Sequence, residues 1–250
     1  MSPAKPERTR IQKPREKNSD KGKAKPRNFT VAGESAPARH AQSAQFPLAK
    51  AEFSISVHDP DALPRAGAPE IAFAGRSNAG KSSAINTLAG RRRLAFVSKT
   101  PGRTQLINFF TLGKDAVLVD LPGYGYAGVP GEVRAHWQHL VGRYIAERTS
   151  LAAVVVVMDS RHPLTELDRT LLQWLKTAQR RAHILLTKSD KLSKQAQQTT
   201  LAKVRRELAT VYPGATVQLF SSLKREGIGE AASVLAHLAL GKNKAPPKGE

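Results

Sequence analysis

The 250-residue sequence contains no cysteine. This absence excludes a disulfide-stabilised scaffold and any metal site built on thiolates, and it is compatible with a reducing cytoplasm. No apolar run is long enough to span a membrane, because the longest one, Leu151–Met158, has the length of a strand. The N-terminal end is charged and has no apolar segment behind it, so we expect no secretory signal. These absences favour a cytoplasmic protein with no disulfide partner and no membrane partner.

Acidic residues are also few. The chain has 20 Asp and Glu against 40 Lys and Arg, which gives a formal net charge of +20. Residues 1–30 contribute +7 and residues 241–250 contribute +2, so the central part of the chain is basic as well. Basic runs are usually solvated surface, but a basic body with two basic tails favours a polyanionic partner such as RNA. The sequence leaves open whether the tails bind RNA or only keep the protein soluble.

The chain divides into three parts by composition. Residues 1–45 are Lys, Arg, Pro, Ser and Ala with almost no large apolar side chains, which predicts a basic disordered extension. Residues 46–240 alternate strand-like and helix-like patterns, and residues 241–250 form a short basic tail. The alternation predicts one α/β domain, with a mostly parallel sheet of six or seven strands, helices on both faces and one antiparallel hairpin strand.

The hydrophobic periodicity places the elements of this domain. The two runs Leu106–Leu112 and Ala116–Val119, joined by a turn at residues 113–115, predict the hairpin. The alternation in Glu52–Val57 predicts a half-exposed edge strand or an extended segment. Further strands are predicted near residues 70–74, 151–158, 183–186 and 216–220, and helices near 83–88, 131–148, 165–178, 194–210 and 228–240. In such a sheet the ligand binds at the carboxyl ends of the strands.

The segment Gly75–Ser82 reads G-x-x-x-x-G-K-S, the pattern of a phosphate-binding loop between a strand and a helix. Gly75 and Gly80 would let backbone N–H groups approach a pyrophosphate at the positive end of the helix dipole. Lys81 would supply a charge to the β- and γ-phosphates, and the Ser82 hydroxyl is suited to bind Mg²⁺. The loop alone predicts a phosphate ligand and does not select a nucleotide.

Two further motifs follow predicted strands. Asp120–Gly123 reads D-x-x-G, in which the aspartate suits a water bound to Mg²⁺ and the Gly123 N–H can contact a γ-phosphate. Thr187–Asp190 fits [N/T]-K-x-D, in which the Asp190 carboxylate can accept hydrogen bonds from both N1–H and N2–H of guanine. Adenine offers no such donors on that edge, so a buried carboxylate discriminates against it. Each motif also occurs in ordinary turns.

Two weaker candidates complete the series. Thr104, in the loop after the first helix, could bind Mg²⁺, and Ser221 with Ser222, after the last strand, could offer backbone N–H groups to guanine O6. Either could equally be a plain turn. Taken in order along the chain, the motifs predict a GTP-binding domain, and this prediction requires Lys81 and Asp190 to lie at the same edge of the sheet.

The combination G-R-S-N-A-G-K-S-S, T-P-G-R-T-Q, D-L-P-G-Y-G-Y-A, T-K-S-D and F-S-S-L resembles the EngB (YihA/YsxC) family of bacterial GTP-binding proteins, which are Era-like P-loop GTPases. The resemblance covers about residues 46–240 and leaves both tails outside it. It implies a GTPase that binds GTP or GDP with Mg²⁺ and acts in assembly of the large ribosomal subunit. It also implies a partner in the subunit precursor or its rRNA, and a requirement for normal cell division and septation.

The resemblance assigns the nucleotide site by position. It implies Ser82 and Thr104 as ligands of Mg²⁺. The implied nucleotide-binding residues are Gly75, Arg76, Ser77, Asn78, Ala79, Gly80, Lys81 and Ser82 in the phosphate loop, Gly102, Arg103, Thr104, Gln105 and Leu106 in the first switch, Asp120, Leu121, Pro122 and Gly123 in the second, and Thr187, Lys188, Ser189, Asp190, Phe220, Ser221 and Ser222 at the base.

The catalytic residue is not determined by these motifs. Ras-like GTPases place a glutamine after D-x-x-G to orient the attacking water, and this chain has Tyr124 there, so we expect slow hydrolysis without stimulation. Two candidates are Thr104 and Asn78. In related GTPases an Asn at the Asn78 position binds K⁺, which could offset the charge developing between the β- and γ-phosphates. An ordinary turn residue explains Asn78 equally well, and nothing selects Arg76 or Arg103 instead.

Two other classes of protein stay open. A P-loop ATPase or kinase would share Gly75–Ser82 but would give Thr187–Asp190 no role. An rRNA-binding assembly factor with a mainly structural nucleotide site would be consistent with Tyr124 at the position of the water-orienting glutamine. We expect a monomer.

Overall fold

The structure is a computed structural model of the chain, and it describes residues 47–95, 106–125 and 131–241. These ranges contain seven strands, β1 Ala51–Val57, β2 Glu70–Gly75, β3 Ile107–Leu112, β4 Val117–Asp120, β5 Leu151–Asp159, β6 Arg181–Thr187 and β7 Thr216–Leu219. They also contain five α-helices, α1 Lys81–Leu88, α2 Gly131–Glu147, α3 Glu166–Thr177, α4 Lys194–Val211 and α5 Ile228–Leu240. Each predicted element is present, with ends within two residues of the prediction. The predicted extension 1–45 and the tail from residue 242 lie outside the described residues.

The strands of the described part of the chain form one sheet in the order β1-β3-β4-β2-β5-β6-β7. β2 pairs in parallel with β4 and β5, and β5, β6 and β7 continue in parallel. β3 is antiparallel to both of its neighbours, β4 and β1. The mostly parallel sheet with one antiparallel hairpin strand is therefore confirmed, with seven strands.

Strand β1 forms one edge of the sheet and pairs with β3 from Ala51 opposite Leu112 to Val57 opposite Ile107. Ala51 and Val57 are buried, whereas the residues between them are exposed. The predicted edge strand is therefore present, but its burial does not alternate as the sequence pattern suggested, because the apolar residues Phe53 and Ile55 are both exposed.

Helices cover both faces of the sheet, as predicted. The apolar residues of α2, α3 and α4 pack on one face, and those of α1 and α5 pack on the other. Strands β2 and β5 lie between these layers, and all of β2 and all but the last residue of β5 are buried. A central strand buried on both faces explains why Leu151–Met158 is a continuous apolar run. Among the described helices, none has the length and apolarity to cross a membrane.

A buried ion pair holds the amino end of β2 to the end of α2. The Arg148 guanidinium binds the Glu70 carboxylate, with Nε 2.9 Å from Oε1, and both side chains are almost fully buried. The Tyr144 and Ser150 hydroxyls donate to the same carboxylate, each at 2.7 Å. Every oxygen of Glu70 therefore has a donor, which lets a charged pair remain stable inside the domain.

We expect Arg148→Met to destabilise the domain by about 3–5 kcal/mol, because it leaves the buried Glu70 carboxylate without its cation. Tyr144→Phe removes only one hydroxyl donor and should cost about 1 kcal/mol. Chemical denaturation of Arg148→Met, of Glu70→Gln and of the double variant Glu70→Gln/Arg148→Met measures the coupling between the two charges. A double variant whose loss equals the sum of the two single losses would contradict the pairing.

Candidate functional site

The predicted phosphate loop connects β2 to α1 and lies between two neighbouring strands. Gly75 is opposite Val157 of β5, and a Cβ at Gly75 would lie 2.7 Å from the Val157 carbonyl oxygen. Glycine is therefore required there by the neighbouring strand, whatever binds the loop. Gly80 precedes α1 with φ of +99°, and Asn78 is exposed with φ of +65°. These positive angles suit glycine and asparagine, so the turn explanation of Asn78 has a structural basis.

Lys81 and Asp120 form an ion pair at the centre of the site. Lys81 is the first residue of α1, and Asp120 is the last residue of β4, the strand next to β2. The Lys81 ammonium donates to Asp120 Oδ1, and the two side chains are 11% and 5% exposed. The last residue of a parallel strand thus brings a carboxylate to the lysine of the phosphate loop. Each of these buried charges depends on a partner of opposite sign.

The rest of the D-x-x-G segment lies along the phosphate loop. The Leu121 N–H donates to the Phe73 carbonyl oxygen at 3.0 Å, which continues the pairing of β4 with β2. Gly123 packs against Ser77, because a Cβ on Gly123 would lie 3.3 Å from Ser77 Oγ. Tyr124 then bridges to the loop, accepting from the Ser77 N–H at 2.8 Å.

The last residue of β6 and the residue that follows it contact the phosphate loop directly. The Thr187 hydroxyl donates to the Ala79 carbonyl oxygen and also lies 3.0 Å from the Met158 carbonyl oxygen of β5. The Lys188 ammonium donates to the Asn78 carbonyl oxygen at 2.6 Å. Two side chains of the predicted T-K-x-D motif thus bind the backbone of the G-x-x-x-x-G-K-S motif. The two motifs meet at the carboxyl edge of the sheet, as the sequence requires.

Asp190 and Ser221 are joined by a hydrogen bond. The Ser221 hydroxyl donates to Asp190 Oδ1 at 2.6 Å, and the Asp190 side chain is 6% exposed. The Ser189 N–H donates to the Phe220 carbonyl oxygen at 3.2 Å, which holds the loops after β6 and β7 side by side. Gln197 of α4 supports them from behind, since its amide donates to the Ser189 carbonyl oxygen at 2.8 Å.

Asp159, at the end of β5, is a site residue that the sequence motifs did not identify. Its Oδ2 lies 3.0 Å from the Lys188 ammonium. Burial alone would raise the pKa of Asp159, but hydrogen bonds from Arg161 and Lys188 outweigh burial and hold that pKa well below its ordinary value. Asp159 is thus ionised and fixes the lysine stem. An Asp at the end of a fully buried parallel strand was the signal that could have found it.

The remaining predicted site residues lie partly inside and partly outside the described ranges. Leu106 is half-buried just before β3, and Ser82 is partly exposed in the first turn of α1. Gly102, Arg103, Thr104 and Gln105 lie outside the described residues, so Thr104 as a metal ligand stays a prediction. Arg76 lies beside Gly125, and its Nε is buried with no hydrogen-bond partner among the described residues.

Comparison with known proteins gives consistent matches. A family model described as "50S ribosome-binding GTPase" matches residues 70–188. The chain is 57% identical over 185 residues to a Methylobacillus flagellatus protein named "Probable GTP-binding protein EngB", a match that covers 74% of this chain and 89% of the relative. A protein of the same name from Azoarcus sp. is 58% identical over 187 residues, covering 74% of this chain and 90% of the relative.

Solved structures are similar in fold. The crystal structure of "a probable GTP-binding protein engB" aligns with a TM-score of 0.53 at 21% identity, covering 68% of this chain and 98% of that one. Era, in complex with MgGDPNP and a segment of 16S ribosomal RNA, aligns with a TM-score of 0.55 at 17% identity, covering 74% of this chain and 59% of Era. At these identities the likeness shows the fold alone.

Replacement of Thr187 by valine tests the contact between the two loops. Valine keeps the volume but leaves the buried Ala79 carbonyl oxygen without its donor, so we expect a loss of about 1–3 kcal/mol in the free energy of unfolding. Thr187→Ser keeps the hydroxyl and should lose less. Denaturation in urea measures both variants, and a Thr187→Val protein as stable as the unmodified one would show that the hydroxyl contributes nothing.

Proposed function

The chain belongs to the EngB family of GTP-binding proteins, and from this premise we propose that it is a Mg²⁺-dependent GTPase switch acting in assembly of the large ribosomal subunit. The observation that carries the proposal is the direct contact of Thr187 and Lys188 with the phosphate loop. A base held by Asp190 and phosphates held by Lys81 can then belong to one nucleotide. The T-K-x-D motif, which would recognise guanine, has no role in a P-loop ATPase or kinase and therefore argues against both.

Guanine is recognised in this proposal by Asp190. The N1–H and N2–H of guanine donate to the carboxylate, which is ordered beforehand by the Ser221 hydroxyl. Thr187, Ser189, Phe220 and Ser222 complete the surroundings of the base, and the Lys188 stem lies along the ring. Adenine has an acceptor at N1 and no donor at C2, so it would leave a buried carboxylate unpaired.

Lys81 and Asp120 would exchange their mutual contact for contacts with the nucleotide and its metal. Lys81 would bind the β- and γ-phosphates, and the buried Asp120 carboxylate would then need another cation. Its charge and position at the phosphate loop therefore fit Mg²⁺. The hydroxyls of Ser82 and Thr104 would bind Mg²⁺, with Asp120 reaching it through a water. When bound, Mg²⁺ supplies charge stabilisation to the phosphates.

Hydrolysis is slow in this proposal, because Tyr124 occupies the position from which a glutamine would orient water. The phenol of Tyr124 donates to Asp168 at 2.8 Å and is buried, so it is directed into the protein. Stabilisation of the transition state must therefore come from elsewhere. Asn78, which is exposed in the phosphate loop, would bind K⁺ there, and Thr104 is the other candidate.

The partner proposed is the precursor of the large ribosomal subunit, through its rRNA. The description of the matching family model and the net charge of +20 support this proposal. With GTP, Thr104 and Gly123 would hold both switches against the γ-phosphate, and hydrolysis would release them. A monomeric cytoplasmic switch of this kind would link GTP to ribosome assembly, and through it to cell division and septation.

Asp190→Asn tests recognition of the base. An asparagine amide presents an NH₂ group that suits the C2 carbonyl of xanthine and repels the N2 donor of guanine. We expect affinity for GTP to fall by at least about a hundredfold and affinity for XTP to rise. Equilibrium titration with fluorescent nucleotides measures both. Ser221→Ala is the matched control, with a loss of about fivefold for one orienting hydrogen bond, and unchanged GTP binding by Asp190→Asn would refute the assignment.

Single-turnover GTP hydrolysis in K⁺ and in Na⁺ buffers tests the role of Asn78. If Asn78 holds K⁺ at the phosphates, K⁺ should raise the rate by about tenfold or more, and Asn78→Ala should remove the difference. Equal rates in the two salts would leave Asn78 as a turn residue.

Co-sedimentation with ribosomal particles tests the partner. We expect more protein to pellet with the large subunit in the presence of a non-hydrolysable GTP analogue than with GDP, and less as salt rises. A protein lacking residues 1–45 separates the contribution of the extension from that of the domain. If equal amounts of protein pelleted with the GTP analogue and with GDP, the result would contradict the proposed nucleotide switch.

A further inference from the structure

Helices α2 and α3 contribute no residue to the predicted motifs, but their side chains hold the D-x-x-G segment Asp120–Gly123 and the following Tyr124 in place. From α2, the Trp137 indole N–H donates to the Pro122 carbonyl oxygen at 2.9 Å. The Trp137 ring contacts the Tyr124 ring, with centroids 5.6 Å apart, and stacks on Trp174 of α3 at 5.8 Å. Pro122 is thus fixed by a side chain that is itself packed between Tyr124 and α3.

Helix α3 holds Tyr124. The Tyr124 hydroxyl donates to Asp168 Oδ1 at 2.8 Å, and both residues are buried. The other oxygen of Asp168 accepts from the Thr165 N–H at 2.9 Å and the Thr165 hydroxyl at 2.8 Å. The acceptor therefore belongs to the rigid first turn of α3. Burial, with the Asp168 charge, raises the pKa of Tyr124 well above its ordinary value, so the phenol remains a donor.

The backbone of Tyr124 is fixed as well. Its carbonyl oxygen accepts from the Ser77 N–H at 2.8 Å, and its N–H lies 3.3 Å from the Gly75 carbonyl oxygen. Gly123 lies between Pro122 and Tyr124, in a space where a Cβ would approach Ser77 Oγ to 3.3 Å. Both peptide neighbours of Gly123 are therefore held, one by α2 and the other by α3 and the phosphate loop.

We propose that Tyr124 and Trp137 are positioning residues that hold the Gly123 N–H ready for the γ-phosphate, an inference that rests on the proposed function. The chain thereby uses the position of the missing glutamine to orient a backbone donor. A donor that is ordered before binding loses little entropy on contact, so its contribution to affinity is larger. GDP has no γ-phosphate, and its affinity should not depend on this clamp.

Tyr124→Phe tests the inference, because it removes the hydroxyl and keeps the ring against Trp137. We expect affinity for a non-hydrolysable GTP analogue to fall about fivefold, the effect of one hydrogen bond, while affinity for GDP stays within about twofold. Trp137→Phe removes the indole donor and should act in the same direction. Titration of both nucleotides with the full chain gives the ratio of affinities, which a loss of fold stability alone would not change selectively.

Tyr212→Phe is the matched control. Tyr212 is also a buried tyrosine, at the end of α4, and its hydroxyl has no hydrogen-bond partner among the described residues. Its removal should leave both affinities unchanged. If Tyr124→Phe and Trp137→Phe weaken GDP and the GTP analogue equally, or weaken neither, the positioning role is overturned and the contacts are only packing. If the unmodified protein binds neither nucleotide, the proposed function fails and this inference fails with it.

Discussion

The candidate site depends on one threonine hydroxyl. Thr187 Oγ1 is shared between the carbonyl oxygens of Ala79 in the phosphate loop and Met158 in β5. Gly80 lies beside this contact with φ of +99°, a backbone conformation that favours glycine. The threonine contact fixes the separation between the loop that would bind phosphates and the loop that would bind a base. The requirement for glycine and threonine thus comes from the fold of the site itself, before any ligand contact is considered.

The charged residues of the site are positioned by the ends of the parallel strands as well. The carboxyl ends of parallel strands supply Asp120 and Asp159, and each carboxylate is matched by a lysine, Lys81 or Lys188. Lys188 also donates to the phosphate loop, so Asp159 keeps that lysine in a fixed position. Lys81 has no such second anchor among the contacts described, and Asp120 is its partner. The first pair is therefore suited to exchange partners with a phosphate and a metal ion, whereas the second pair is suited to remain.

The sequence predicted those elements and loops that depend on local residue patterns. The continuous run Leu151–Met158 predicted a central strand, and the motifs that follow strand ends predicted which loops meet at one edge. The unpredicted contacts join residues far apart in sequence, such as Glu70 with Arg148 and Tyr124 with Asp168. Tertiary packing decides such pairs, and no local pattern in the sequence shows which partner each residue will meet. Asp159 is intermediate, because its place at a strand end could have been noticed although no motif includes it.

Tyr124 connects the chemistry of the site to its scaffold. A side chain that donates to Asp168 in the protein interior cannot also orient a water molecule at a γ-phosphate. The same side chain holds the backbone next to Gly123 through its contacts with Ser77 and Asp168. On the function proposed above, the triphosphate state would then be long-lived, because no side chain at this position orients the attacking water. Such a state ends when another group, whether a cation at the phosphate loop or a residue of a partner, supplies the missing stabilisation of the transition state.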